Sequence, residues 1–279
     1  MKSLLTSMLL FCISAVTYSQ ITDVEDDKLK GKVKSVSFIS YSQDPGEERR
    51  FGRKSFTSYN EKGFLSEYSS FENEIGAKDF MIIPTYNQKG IRNYDSNFNK
   101  GRVYDGKSIY SYDKLGNRIE WVEYSSNDTI IIRHAFKFNS KKQMVKHLLY
   151  NNKNELLGTV EYILDTKGNV LSRISSKADG TVEYQYSYVY DIKGNTISEK
   201  YKNSERKREY FLKMKYDDYG NMVLQEEYDE NGKLEEQKSI SYKYDKYNNW
   251  VDKSATIIRY YDKSSYEVYE MEYREITYY

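Results

Sequence analysis

A motif recurs along the chain at a period close to 26 residues, and no other feature restricts the possible folds as much. An aromatic or apolar residue precedes Asp or Asn at Tyr59-Asn60, Tyr86-Asn87, Tyr112-Asp113, Phe138-Asn139, Leu164-Asp165, Tyr190-Asp191, Tyr216-Asp217 and Tyr244-Asp245, with spacings of 27, 26, 26, 26, 26, 26 and 28. Four positions after each leading residue stand Gly63, Gly90, Gly116, Lys142, Gly168, Gly194, Gly220 and Asn248; Asn117, Asn169, Asn195, Asn221 and Asn249 come next in five of the units. Self-similarity at such a period marks units that cannot bury an apolar face alone and do so against their neighbours.

Each unit reads as two strands and two turns. Tyr184, Tyr186, Tyr188 and Tyr190 fall on one face of a strand while Glu183, Gln185 and Ser187 fall on the other, and Tyr210, Leu212, Met214 and Tyr216 alternate with Lys213, Lys215 and Asp217. That period of two predicts β-strand. Between the strands, Gly supplies the positive φ of a tight hairpin, and the Asp or Asn before it caps the turn with a side-chain oxygen. We assign structural turn roles to Gly63, Gly90, Gly116, Gly168, Gly194, Gly220, Asp113, Asp191, Asp217 and Asp245. Lys142 and Asn248 replace the glycine, which predicts two looser or differently built turns. Only Pro45 and Pro84 occur, consistent with ladders that use every amide donor.

The fold expected is all-β: an antiparallel meander of hairpin repeats, seventeen or eighteen strands in all, forming a curled or spiral sheet that closes in part. With 31 Tyr in 279 residues, the core must be built largely from tyrosine, so the curl should turn the Tyr face inward.

Met1-Lys2-Ser3, the apolar run Leu4 to Val16, and Thr17-Tyr18-Ser19 before Gln20 predict a signal peptide over residues 1–19, cleaved after Ser19. The apolar run is shorter than the ~20 residues of a spanning helix. Cleavage removes the one cysteine, Cys12, and leaves basic and acidic side chains in equal number. That balance excludes the broad positive field of a nucleic-acid binder, and the loss of Cys12 excludes disulfides and thiol catalysis. The organisation expected is therefore a signal peptide at 1–19, an N-terminal strand and cap segment at 20–58, eight repeats at 59–268 and a C-terminal strand at 269–279. Gln directly after the cut resembles the signal peptides of Bacteroidetes exports.

The Tyr-Asp-x-x-Gly-Asn strings at Tyr112 to Asn117, Tyr190 to Asn195 and Tyr216 to Asn221 resemble the YD repeats of the Rhs and teneurin family. The resemblance spans roughly Tyr59 to Lys253. It implies a spiralling β-sheet of the kind that encloses cargo in that family, although this chain carries far fewer repeats and ends at Tyr279 without a toxin-like domain behind them.

Catalytic constellations are missing from the sequence. His134 and His147 stand thirteen apart without a companion Cys or His, and zinc needs three or four ligands, so they read as surface or core-edge residues, each without a partner. Asp229-Glu230-Asn231-Gly232 is too short for a calcium loop and reads as a turn. No catalytic residue, metal ligand or cofactor is assigned. Trp121 and Trp250 are the candidate binding residues, each just after a turn and each expected to be left exposed by the curl. The function expected is that of an exported, non-enzymatic repeat protein, secreted or periplasmic, presenting a β surface to an unknown protein or glycan. The alternatives are an outer-membrane β-barrel and a hydrolase- or toxin-associated fragment. A mean hydropathy of -0.85, short turns and many outward Lys and Glu lead to the expectation that the chain does not span a membrane. Nothing in the sequence reports the oligomeric state.

Overall fold

The structure is a computed structural model that describes residues 22–206, 208–262 and 264–279. The expected signal peptide over 1–19 and its cleavage after Ser19 lie outside the described residues. One short helix, α1 (Asp23–Asp26), precedes eighteen strands: β1 (Val33–Gln43), β2 (Arg50–Tyr59), β3 (Leu65–Phe71), β4 (Lys78–Tyr86), β5 (Arg92–Asn99), β6 (Val103–Tyr112), β7 (Arg118–Ser125), β8 (Ile130–Phe138) and β9 (Met144–Asn151), followed by β10 (Leu156–Leu164), β11 (Val170–Lys177), β12 (Val182–Tyr190), β13 (Thr196–Asn203), β14 (Arg208–Tyr216), β15 (Met222–Asp229), β16 (Leu234–Tyr244), β17 (Trp250–Tyr260) and β18 (Ser265–Tyr278).

Every strand pairs antiparallel with its sequence neighbours, and β1 also pairs with β18, so the meander closes completely into a barrel. Closure removes both free edges, which an open sheet of this length would leave as templates for aggregation. The strands are staggered. A row of directly opposite residues starting at Val36 passes through Thr57, Tyr68, Ile82, Asn97 and Gly106 to Ser125, climbing from one rim to the other in seven strands. Barrels of 16–18 strands are wide enough to leave an aqueous lumen.

All eight motif turns lie at one rim. In each regular unit the Asp organises the turn: Asp113 Oδ1 accepts the Leu115 and Asn117 amides, both at 2.9 Å, while Asn117 Nδ2 donates to Asp113 Oδ2 at 2.8 Å. The same set recurs at Asp165 with Asn169 and at Asp191 with Asn195. These bonds hold the carboxyls of Asp113, Asp165 and Asp191 below the usual range, the Asn side chain contributing most. The six motif glycines all have positive φ, from 75° at Gly90 to 98° at Gly168.

Contrary to expectation, Lys142 and Asn248 do not loosen their turns. Both residues adopt the same left-handed conformation, at φ 61° and 63°, and Lys142 N donates to Asn139 O at 3.0 Å as the glycines do in their units. The Asn139 side chain still caps the Lys141 and Gln143 amides. Capping and ladder bonds on both sides over-determine the turn, so strain at one residue does not reshape it.

The leading Tyr of the motif has its own partner. Tyr112, Tyr190 and Tyr216 donate their hydroxyls to the carbonyls of Arg92, Val170 and Thr196, each 20 residues earlier. After the one 28-residue spacing, Tyr242 takes over this bond, to Met222 O. Each ring thereby latches its hairpin to the one before, which supplies a reason for tyrosine rather than phenylalanine at that position.

The main apolar cluster sits where the ring closes. Val24, Leu29, Val33, Val36 and Tyr59 are buried together, with Leu65, Ile276 and Tyr278 packed against them. Residues 22–32 cross the motif rim over this junction. Val24 N donates to Gly63 O, Asp23 Oδ2 accepts the Leu65 amide and the Tyr86 hydroxyl, Asp27 accepts the Tyr59 hydroxyl, and Lys30 exchanges two bonds with the Asn249 side chain. One segment that reaches β2, β4 and β18 through residues of a single sheet face can do so only from the concave side. Tyr59, Tyr86, Ile276 and everything in register with them therefore line the lumen.

Candidate functional site

The lumen wall divides into two arcs. Along the first, directly opposed residues make two aromatic rows. Tyr110, Trp121 and His134 face one another on β6, β7 and β8, while Tyr162, Arg173, Tyr186, Tyr201 and Tyr210 do so from β10 to β14. Ring separations are short: 4.3 Å between Trp121 and His134 at 12°, 4.9 Å between Tyr186 and Tyr201, and 4.8 Å between Tyr201 and Tyr210. His147 on β9 joins the rows, its ring 5.0 Å from Phe136 and its Nε2 2.9 Å from His134 Nδ1. Near-coplanar rings at that nitrogen separation share one N–H···N bond, so one imidazole donates to the other. Polar groups are set among the rings. Arg118 lies over Tyr110 and Phe136, Arg173 over Tyr184 and Tyr186, Glu123 Oε1 3.9 Å from His134 Nε2, and Glu199 opposite Tyr188.

The second arc, β15 to β18, is lined by ion pairs. Arg259 pairs with Glu236 at 2.9 Å, Lys253 with Glu272 at 2.9 Å, and Lys238 with Glu270 at 2.5 Å. At the rim, the covering segment brings Asp26 and Asp27 into the mouth. Burial raises the pKa of both carboxyls, and for Asp26 the nearby Asp23 charge adds to the effect.

Trp121 and Trp250 are both half-buried on the lumen wall, where the expectation was that the curl would leave them exposed. The Tyr face turned inward and carried them with it. Trp121 is sandwiched into the first row, whereas Trp250 lies at the motif rim with the Arg274 guanidinium 3.5 Å from its ring centroid. His134 and His147 are likewise not isolated. The offset of thirteen spans the β8–β9 hairpin, whose register sets His147 opposite Phe136 and so diagonal to His134, which spacing alone did not reveal. The continuity of the aromatic arc was also missed. Alternation shows which face a ring is on, but only the stagger shows which rings meet. Among the described residues, no group of three or more His, Cys, Asp or Glu is placed to hold a metal ion.

The outer wall is mixed all round. From β4 to β9 it carries Met81, Ile83, Ile109, Val122 and Leu148 among Lys107, Arg133, Lys137 and Lys146, and from β12 to β16 Val189, Phe211 and Leu224 among Ser187, Ser198, Lys200, Lys202, Lys213, Lys215 and Ser239. Lys200 pairs there with Glu209, and Glu226 lies opposite Lys213.

No protein-family model matches the chain, and no curated protein matches it. Among solved structures, it is similar to a porin-like protein from Bacteroides uniformis, with 9% identity, a TM-score of 0.52, and coverage of 89% of this chain and 98% of that one. A second porin-like protein, from Bacteroides vulgatus, aligns at 13% identity and a TM-score of 0.31 over 74% of this chain and 98% of that one. The TcdB2-TccC3-Cdc42 structure aligns at 10% identity and a TM-score of 0.34 over 84% of this chain and 16% of that one. At 9% identity, the first likeness is one of fold.

The expectation that the chain does not span a membrane is overturned by the closed barrel. Helices and edge-free barrels are the two architectures that satisfy every backbone group in lipid. No described helix is long and apolar enough to cross a membrane, a test that does not bear on strands.

Proposed function

We propose that this protein is an outer-membrane β-barrel, exported by the N-terminal signal peptide and non-enzymatic, whose working surface is the lumen wall. The observation that carries the reading is the closed ring of eighteen antiparallel strands, supported by the fold shared with a porin-like protein. The repeat from which the wall is built belongs with the YD repeats, a placement supported by the Asp-capped turns and Tyr latches. In the bilayer, each outward lysine or arginine, on β8 and β9 as on β13 and β14, would cost about 2–4 kcal/mol at the midplane.

Those outward charges favour a second reading, in which the outer wall is presented to a protein partner in the envelope. Fractionation separates the two. An outer-membrane barrel is recovered with envelope membranes, resists carbonate extraction and needs detergent for release. Recovery in the aqueous fraction without detergent would overturn the first reading in favour of the second.

A further inference from the structure

We propose that the aromatic arc of the lumen binds a neutral oligosaccharide, an inference that deepens the lumen-surface reading above and rests on it for the access of solute. Three observations lead there. The rings form a track: Tyr110, Trp121 and His134, then Tyr186, Tyr201 and Tyr210, with His147 and Arg173 between the two sets. A row of ring faces and edges running across consecutive strands suits a chain of flat, weakly polar units more than a single compact ligand, and a pyranose offers such a face in every residue.

The second observation is what stands beside the rings. Arg118, Arg173, Glu123 and Glu199 place charged donors and acceptors at intervals along the track. Apolar surface with a few fixed polar groups is how sites orient a ligand that presents both C–H faces and hydroxyl edges. Trp121 Nε1 is buried without a hydrogen-bond partner, so its indole contributes ring surface and not a donor.

The third is charge. Ion selectivity is built from rings of like charge, but here opposite signs alternate. Arg118 and Arg173 are offset by Glu123 and Glu199 on the aromatic arc, and Lys238, Lys253 and Arg259 are paired with Glu270, Glu272 and Glu236 on the other. A wall on which both signs are interspersed favours neither anions nor cations over neutral solutes.

The test uses the full chain purified in detergent and carrying Trp250→Phe, which leaves Trp121 as the only tryptophan while keeping a ring under Arg274. Titration with maltohexaose and with cellohexaose should change Trp121 emission saturably for at least one of them. The midpoint should be at least about tenfold lower than for glucose and should not move with salt. Tyr186→Ala and Tyr201→Ala, checked for a parental melting curve, should each weaken that binding by about tenfold. Absence of a saturable change with either hexaose, read by emission and by calorimetry on the parent chain, overturns the inference, as does binding that is unaffected by both Tyr variants. Liposome swelling in arabinose tests the membrane passage separately. Swelling without hexaose binding defeats the inference and spares the passage, whereas hexaose binding without swelling does the reverse.

Discussion

The regular wall from β10 to β15 and the junction where β18 meets β1 use the same motif for different ends. In the wall, Asn195 Nδ2 donates back to Asp191 Oδ2 at 2.9 Å, so the turn is satisfied from within. At the junction, the equivalent Asn249 still donates its amide to Asp245 Oδ1, at 3.0 Å, but its side chain also bonds outside the turn. Its side chain accepts the Lys30 amide at 2.7 Å and donates to Lys30 O and to the Tyr278 hydroxyl, both at 2.8 Å. The wall is held by ladder bonds and Tyr latches between strands close in sequence. The junction joins residues more than 200 positions apart, and there the molecule spends its scarce aliphatics. A repeat can propagate from local rules, but closing it requires a set of contacts made once.

The largest expected effect is therefore at the junction. Val33 is 1% exposed, and Val33→Asp places an unpaired charge in the cluster, costing at least about 3 kcal/mol. Denaturant melts and limited proteolysis should show loss of the cooperative barrel, and a parental melt would show that closure does not depend on this cluster. In the wall, Gly194 has a φ of 88° with open space around its missing Cβ, so Gly194→Val isolates backbone strain at about 1–2 kcal/mol. A smaller loss, about 1 kcal/mol, is expected for Tyr216→Phe, which removes one latch bond while keeping the ring. Lys142→Gly should raise stability by up to about 1 kcal/mol, because it relieves a left-handed lysine in a turn that is otherwise regular. A drop instead would mean that the lysine side chain has a role of its own.

Acid should move the two regions in opposite directions. The Asp113, Asp165 and Asp191 carboxyls are lowered by their turn bonds, so their contribution is complete above the unfolded pKa and is lost as pH falls through the folded one. Asp27 is raised by burial. Its ionised form weighs against the folded state at neutral pH, and that penalty is relieved as pH falls through the raised value. Hydrogen exchange followed from neutral to acid pH should therefore show the wall turns loosening while the covering segment tightens. The Asp27→Asn variant should reduce the second trend without touching the first, Asp26 carrying what remains.

Much of this was legible in the chain. The period, the turn chemistry, the inward Tyr face and the number of strands follow from alternation and spacing, because a strand's faces and a hairpin's turn are set by residues within a few positions of one another. Three things were not. Full closure depends on the pairing of β1 with β18, between segments at the two ends of the chain. The regularity of the Lys142 turn depends on ladders on either side outweighing one unfavourable φ. The meeting of Trp121, His134 and His147, and their place on the lumen wall, depends on the stagger and the direction of curl. Local sequence determined the hairpins; the register among them, a property of the whole ring, decided which rings meet and which surface they line.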